Sequence, residues 1–218
     1  MNLRSLFLVA VTSVAVAAPA TADVLWDQST FDPLGASFFN SISGSPPFGR
    51  THYTVSDITV PSPGWEVQAI TCYFSAISPS WGLGITQGRL SVFPKTGPLP
   101  ANSNDPHVTP MIPMSATLSG NSFAVKASGL SIVLAPGEYW IGITPVAPSG
   151  FFGPENNVAA TTQIGSVSAT WDPFQNPPPP FWFNLHSDQD AAILVEGRNS
   201  GPVPTADLSW GKLKSFYR

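Results

Sequence analysis

Apolar and polar positions alternate two by two along most of this chain. Phe123 and Val125 alternate with Ala124 and Lys126, and Ile132 and Leu134 with Ser131 and Val133. Tyr139, Ile141 and Ile143 alternate with Glu138, Trp140 and Gly142. Leu90 and Val92 interleave with Arg89, Ser91 and Phe93, and Ile193 and Val195 with Leu194 and Glu196. Each run is short, rich in aromatic or β-branched residues, and closed by Gly, Pro, Asn or Ser, which predicts strands. From Asp23 to Ser200 no long segment has the spacing of an amphipathic helix. The longest strand candidate, Trp65 to Ser75, changes phase. Trp65, Val67 and Ala69 share one parity, and Ile70, Cys72 and Phe74 share the other. One regular strand cannot bury both sets on one face, so a bulge or bend is expected near Ala69–Ile70, as when a strand passes between sheets.

Turn signals separate these runs: Pro61-Ser62-Pro63-Gly64, Lys95 to Pro100, Asn102 to Pro106, Ser119-Gly120-Asn121 and Ala135-Pro136-Gly137. Two longer stretches, Phe31 to Arg50 and Pro173 to Asp188, read as irregular. The second holds four prolines at 177–180, which cannot donate to a strand ladder. Many short strands at this spacing predict an all-β fold, an antiparallel β-sandwich that is jelly-roll-like, with its ends near Val24 and Glu196.

The first 22 residues follow a different rule. Arg4 supplies a positive charge, Leu6 to Ala18 is apolar or small, and Ala20-Thr21-Ala22 is a small-x-small cleavage site. That is the layout of a secretory signal peptide, and its apolar run falls short of the ~20 residues that span a bilayer. The expected organisation is a signal peptide over 1–22, a β-sandwich domain over 23–196, and a linker with a basic, aromatic tail over 197–218. A secreted or cell-surface location follows, with no transmembrane segment after cleavage. Cys72, the single cysteine, has no partner for an internal disulfide. In its apolar run it reads as a small buried hydrophobe, with an intermolecular disulfide or a nucleophile as the alternatives.

Charged residues make up 10% of the chain, against about 25% in a typical soluble domain. With 43% hydrophobic residues, 24 prolines and 18 glycines, the composition is not that of a disordered chain. From residue 23 to 200 five basic residues (Arg50, Arg89, Lys95, Lys126, Arg198) face twelve acids. An acidic body with scattered cations argues against nucleic acid as a partner.

Leu134-Ala135-Pro136-Gly137-Glu138-Tyr139-Trp140-Ile141 resembles a recurrent element of secreted bacterial β-sandwich proteins of the PEP-CTERM-like, choice-of-anchor type. Val60 to Trp65 with Val67 is similar to the companion hairpin of that group, and Leu90 to Pro94 with Gly97 to Pro100 to its strand and Gly/Pro loop. The resemblance implies an exported bacterial sandwich and carries no established activity. The group's sorting tail (Pro-Glu-Pro, a membrane span, basic residues) is not matched: Val203-Pro204 runs into Thr205-Ala206.

The chain ends Leu208 to Arg218. Trp210, Leu213, Phe216 and Tyr217 would share one face of a short helix, flanked by Lys212 and Lys214, with Arg218 last. This ending resembles the Trp-Gly-x-Leu/Ile-Lys-x-x-Tyr/Phe-Arg endings of some exported bacterial proteins. Two readings stand: a tail that folds back or frays, or a docking peptide (Trp210, Lys212, Lys214, Tyr217, Arg218) that meets an acidic partner or anionic surface.

Candidate chemistry is sparse. There is no Gly-x-Ser-x-Gly elbow, phosphate-binding glycine loop or His-Glu-x-x-His motif. His52, His107 and His186 lie far apart. Glu66, Glu138 and Glu196 are the only carboxylates on a scaffold that could serve glycoside hydrolysis, and each reads more simply as an outward residue. His186-Ser187-Asp188-Gln189-Asp190 is the best metal candidate, with Asp188 and Asp190 offered to calcium, which needs six to eight oxygens; a solvated turn is the competing reading. Asn102 to Asp105 is a second such loop. No other cofactor is indicated. Trp81, Trp140 and Trp182 are candidate sugar-stacking rings, or else aromatics that pin loops from below. The expected function is therefore a non-enzymatic surface or extracellular-matrix protein with a structural or adhesive role, its partners polysaccharide or copies of itself. The alternative is a carbohydrate-binding module using exposed loop aromatics.

Overall fold

The computed structural model describes residues 22–32, 37–42, 51–75, 84–119, 122–147, 156–158, 160–161, 168–172, 181–186 and 190–200. They form fourteen strands: β1 (Asp23–Asp27), β2 (Ser37–Phe39), β3 (Ser41–Ile42), β4 (Thr51–Val60), β5 (Trp65–Ser75), β6 (Gln87–Pro94), β7 (Met111–Pro113), β8 (Ser115–Ser119), β9 (Ser122–Leu134), β10 (Gly137–Pro145), β11 (Asn156–Val158), β12 (Ser168–Asp172), β13 (Phe181–His186) and β14 (Ile193–Asn199). A 3-10 turn, Pro106–Val108, interrupts the loop between β6 and β7. No helix among the described residues is long and apolar enough to cross a membrane.

Two antiparallel sheets pack as the expected sandwich. In the first, β5 lies between β14 and β9, β1 flanks β14, β8 flanks β9, and β11 followed by β2 extends from the end of β5. The second runs β13-β12-β4-β10-β6-β7, with β3 beside β4. Successive strands cross between the sheets, as in a jelly roll: β4 to β5, β5 to β6, β9 to β10. Pro-Gly turn signals mark the first and last of these crossings. Pro61 to Gly64 joins β4 to β5, with Gly64 N–H donating to the Pro61 carbonyl at 2.8 Å and a φ of 112° that favours glycine. Ala135 to Gly137 joins β9 to β10 beside it, since Gly137 pairs with Val60 and Trp65 with Leu134.

The main core lies between the sheets. Ile58 and Val60 of β4, Leu90 of β6, and Ile141 and Ile143 of β10 meet Phe123, Val125, Ile132 and Leu134 of β9 and Ile193 and Val195 of β14. Phe74 and Phe123 stack at 5.4 Å. The phase change in β5 is a bulge, as expected. Against β14 the register jumps between Glu196 and Gly197, whose partners Ala69 and Val67 leave Gln68 as the extra residue; against β9 it also jumps between Val67 and Ala69, but their partners Ile132 and Ser128 put the surplus residues on β9. The strand does not change sheet, however; it pairs with β14 and β9 on both sides of the bulge. The extra residue resets the parity, so Trp65, Val67, Ile70, Cys72 and Phe74 all enter one core.

Three expectations are corrected. The run 31–50 contains the short strands β2 and β3, and 173–188 contains β13, so Phe181-Trp182-Phe183 belongs to a strand, not a loop. The alternation in β10 does not expose one parity: Trp140, Ile141 and Ile143 are all 0% exposed. The cause is a second layer, because the outer face of the second sheet is roofed by the loop of residues 95–110.

Candidate functional site

That outer face gathers the polar and aromatic side chains with most chemical potential. Tyr53, Val55 and Asp57 leave one side of β4, while Ile58 and Val60 enter the main core. Asp57, Trp140 and Phe93 form a row across β4, β10 and β6, being direct cross-strand neighbours. Tyr53, Trp171 and Trp182 occupy one register line across β4, β12 and β13. Tyr53, Val55, Phe93, Trp140 and Trp182 pack as a second core, with Ile42 and Leu99 at its border. Phe93 and Trp182 meet edge to face at 6.0 Å.

The roof is fastened by polar contacts. Lys95 pairs with Asp57 and lies 5.3 Å from the centre of the Trp140 ring, a cation–π contact in a mostly desolvated setting. Trp182 Nε1 donates to the Asn104 carbonyl at 3.0 Å, and Arg89 Nη1 donates to the Thr109 carbonyl. Asp105 caps the 3-10 turn, accepting from His107 N–H at 2.8 Å. Its Oδ1 also lies 3.0 Å from His107 Nδ1. His107 in turn meets the Tyr53 ring edge to face at 5.0 Å. Burial pushes the Tyr53 hydroxyl up to about 12, opposed by the charge and hydrogen bond of Arg89 and reinforced by Asp105. Tyr53 is thus a neutral phenol across the physiological range. Below the roof, Trp140 Nε1 and the Ser91 hydroxyl are buried with no hydrogen-bond partner among the described residues.

Beside this layer sits a buried amide that sequence reasoning missed. Asn40 is 0% exposed; its Nδ2 donates to the Ile143 carbonyl at 3.0 Å. Its Oδ1 accepts from Thr54 N–H at 3.2 Å and the Thr144 hydroxyl at 2.6 Å. It bridges β4 and β10 where their ladder ends at Ser56–Ile141. A lone Asn in a polar stretch gives no signal of this. Asp57 was equally hidden, since a charge on an alternating strand reads as outward, and Lys95 was hidden in a turn signal.

The candidate sites are thereby sorted. Trp140 and Trp182, at 0% and 2% exposure, are not open stacking platforms; both are walled in by the roof loop. Trp81 lies outside the described residues, as do Asp188 and the tail residues Trp210, Lys212, Lys214, Tyr217 and Arg218. Asp190 is 0% exposed and its carbonyl accepts from Ala160 N–H at 2.8 Å, so at this position the solvated-turn reading fails. No group of three or more His, Cys, Asp or Glu that could hold a metal occurs among the described residues. In the second polar loop Asp105 is engaged as the cap of the 3-10 turn.

The other reactive groups are also built into the scaffold. Glu66 accepts two bonds from Arg198, at 2.7 and 3.0 Å, and Glu196 one from Lys126 at 2.5 Å, all on the first sheet; Glu138 belongs to the second. Cys72 is buried, and desolvation raises its thiol to about 12, which removes the nucleophile and disulfide readings in the folded state. Comparison with protein-family models, curated proteins and solved structures finds no match for the chain.

Proposed function

We propose that this chain is a secreted bacterial protein of the cell surface or extracellular matrix with a structural or adhesive role, and that it works without catalysis. One observation supports the reading: among the described residues, the candidate side chains for chemistry or sugar stacking are held in scaffold contacts. Trp140 and Trp182 form a closed second core, Glu66 and Glu196 sit in cross-strand ion pairs, and the Cys72 thiol stays protonated. What faces outward is largely uncharged and polar, which suits close packing with copies of the chain or with polysaccharide. The signal-peptide layout read in 1–22 supports a location outside the cytoplasm. The described chain leaves β14 at the β4–β5 corner, where Ser200 N–H donates to the Gly64 carbonyl at 2.9 Å; to the basic, aromatic sequence that follows we assign docking.

The test pairs envelope fractionation of the producing cell with co-sedimentation on insoluble polysaccharides, using the protein with and without residues 201–218. Recovery in the envelope or matrix fraction, lost on removal of the tail, supports the reading. Tail-independent binding of one glycan by a chain that stays soluble replaces it with the carbohydrate-binding module.

A further inference from the structure

The edges of the first sheet are unequal. β1 carries Asp23 and Asp27 at its two ends, charges of the kind that discourage edge-to-edge pairing. The opposite edge, β8, is Ser115-Ala116-Thr117-Leu118-Ser119: no charge and no proline. Among the described residues β8 pairs only with β9. Leu118 is opposite Phe123, which is 0% exposed in the main core. Leu118 therefore stands on the core-facing side of the sheet, yet it is 45% exposed. The core ends at β9 and Leu118 hangs past it.

We propose that β8 is the contact edge of a symmetric dimer, pairing antiparallel with β8 of a second copy about a two-fold axis through Thr117. The choice of a second copy rests on the structural reading above, and the strand's own chemistry supports it. Antiparallel pairing in this register sets Ala116, which packs at the border of the core, opposite Leu118 of the copy. The small residue makes room for the large one, and each overhanging leucine extends the other copy's core. Thr117 meets Thr117 of the partner subunit on the outer side, a favourable cross-strand pair. Ser115 falls opposite Ser119. The charged residue among the β9 positions paired with β8, Lys126, lies opposite Ser115 and is engaged by Glu196. In the dimer the two Lys126 positions are separated by about 14 Å along the strands and about 14 Å across them. That exceeds the screening length of about 8 Å, so they do not oppose association. The result is one continuous sheet through both copies.

Sedimentation equilibrium over a concentration series tests this. The protein should dimerise, and Leu118→Lys should weaken association by about tenfold or more with an unchanged circular dichroism spectrum. Cysteine placement decides the register even if Leu118→Lys folds poorly. Thr117→Cys should form a covalent dimer under mild oxidation. Ser115→Cys alone should not, whereas Ser115→Cys with Ser119→Cys should; buried Cys72 adds no background. A chain that stays monomeric, or a dimer indifferent to Leu118→Lys with no Thr117→Cys cross-link, overturns the proposal. Envelope fractionation reads the structural role separately, so the two can fail independently.

Discussion

Replacing Trp140 distinguishes a scaffold tryptophan from a sugar platform. The indole is 0% exposed, packed among Tyr53, Val55, Phe93 and Trp182, with Lys95 5.3 Å from the ring centre. Trp140→Ala removes the whole ring and should destabilise the protein by about 3–5 kcal/mol, plus about 0.5–2 kcal/mol for the lost cation–π contact. That is a large part of a domain's usual stability of about 5–15 kcal/mol. Trp140→Phe acts differently. It removes roughly 40 Å3 of side chain, a loss of roughly 1 kcal/mol at 24 cal/mol per Å3 of cavity, before the transfer contribution of the atoms removed. It also removes the Nε1–H, which is buried without a partner among the described residues; relief of such a donor returns about 1–3 kcal/mol. The two nearly cancel, so Trp140→Phe should lie within about 1 kcal/mol of the parent. Urea unfolding followed by circular dichroism reads both variants, with the slope as a check on two-state behaviour. Equal large losses for both would mean that the indole N–H is satisfied and the argument for the orphaned donor is wrong. Retained stability in Trp140→Ala with loss of polysaccharide binding would refute the closed second core itself.

Three further outcomes follow from the same contacts. Alkaline pH should destabilise the fold: the Cys72 thiol and Tyr53 hydroxyl are raised to about 12 from 9.0 and 10.0, so the folded state keeps protons that the unfolded chain releases. Their contribution is complete below pH 9 and is lost as the pH rises through 9–12; urea midpoints at pH 8, 10 and 11 should fall in that order, and a flat profile would contradict the burial of both groups. Asn40→Ala leaves the Ile143 carbonyl and Thr54 N–H without that amide and should lower stability by about 2–4 kcal/mol, measured by urea unfolding, with hydrogen exchange rising first at 141–144. Lys95→Met deprives the buried Asp57 carboxylate of its cation and should destabilise by about 3–5 kcal/mol, whereas adding Asp57→Leu should recover most of the loss; thermal unfolding of the single and double variants checks the coupling.

Strand positions in the sequence were legible where one face meets the core and the other meets solvent. In β9 and β14 the alternation marks the inward set correctly. β5 was legible in more detail, because an extra residue at Gln68, counted against β14, leaves its trace as a change of parity. The side chains of β4 and β10 were not. Both strands are covered by the first sheet on one side and by residues 95–110 on the other, so parity sorts them between two cores and not between core and water. Trp140 therefore looked free to leave the core. The roof itself left only turn signals, since it is held by carbonyl acceptors at Asn104 and Thr109 and by single charged contacts, none of which has a periodic signature.

The same geometry explains how a domain with 10% charged residues places them. Lys95–Asp57 fastens the roof to the second sheet, while in the first Arg198–Glu66 ties the neighbouring strands β14 and β5 and Lys126–Glu196 reaches across β5 from β9 to β14. Exposed pairs of the latter kind contribute little to stability, about 0–1 kcal/mol, but they neutralise the face on which they lie. β8, with no charge of its own, borders that neutral face. Arg198→Ala should leave the urea midpoint almost unmoved, and because Glu66 lies on β5, two strands behind the β8 edge, it should leave association through that edge unchanged as well. The buried pair should differ in folding, with Lys95→Met weakening the fold and leaving association of the folded fraction unchanged. A shared response of both pairs would mean that roof and sheet face do not act separately.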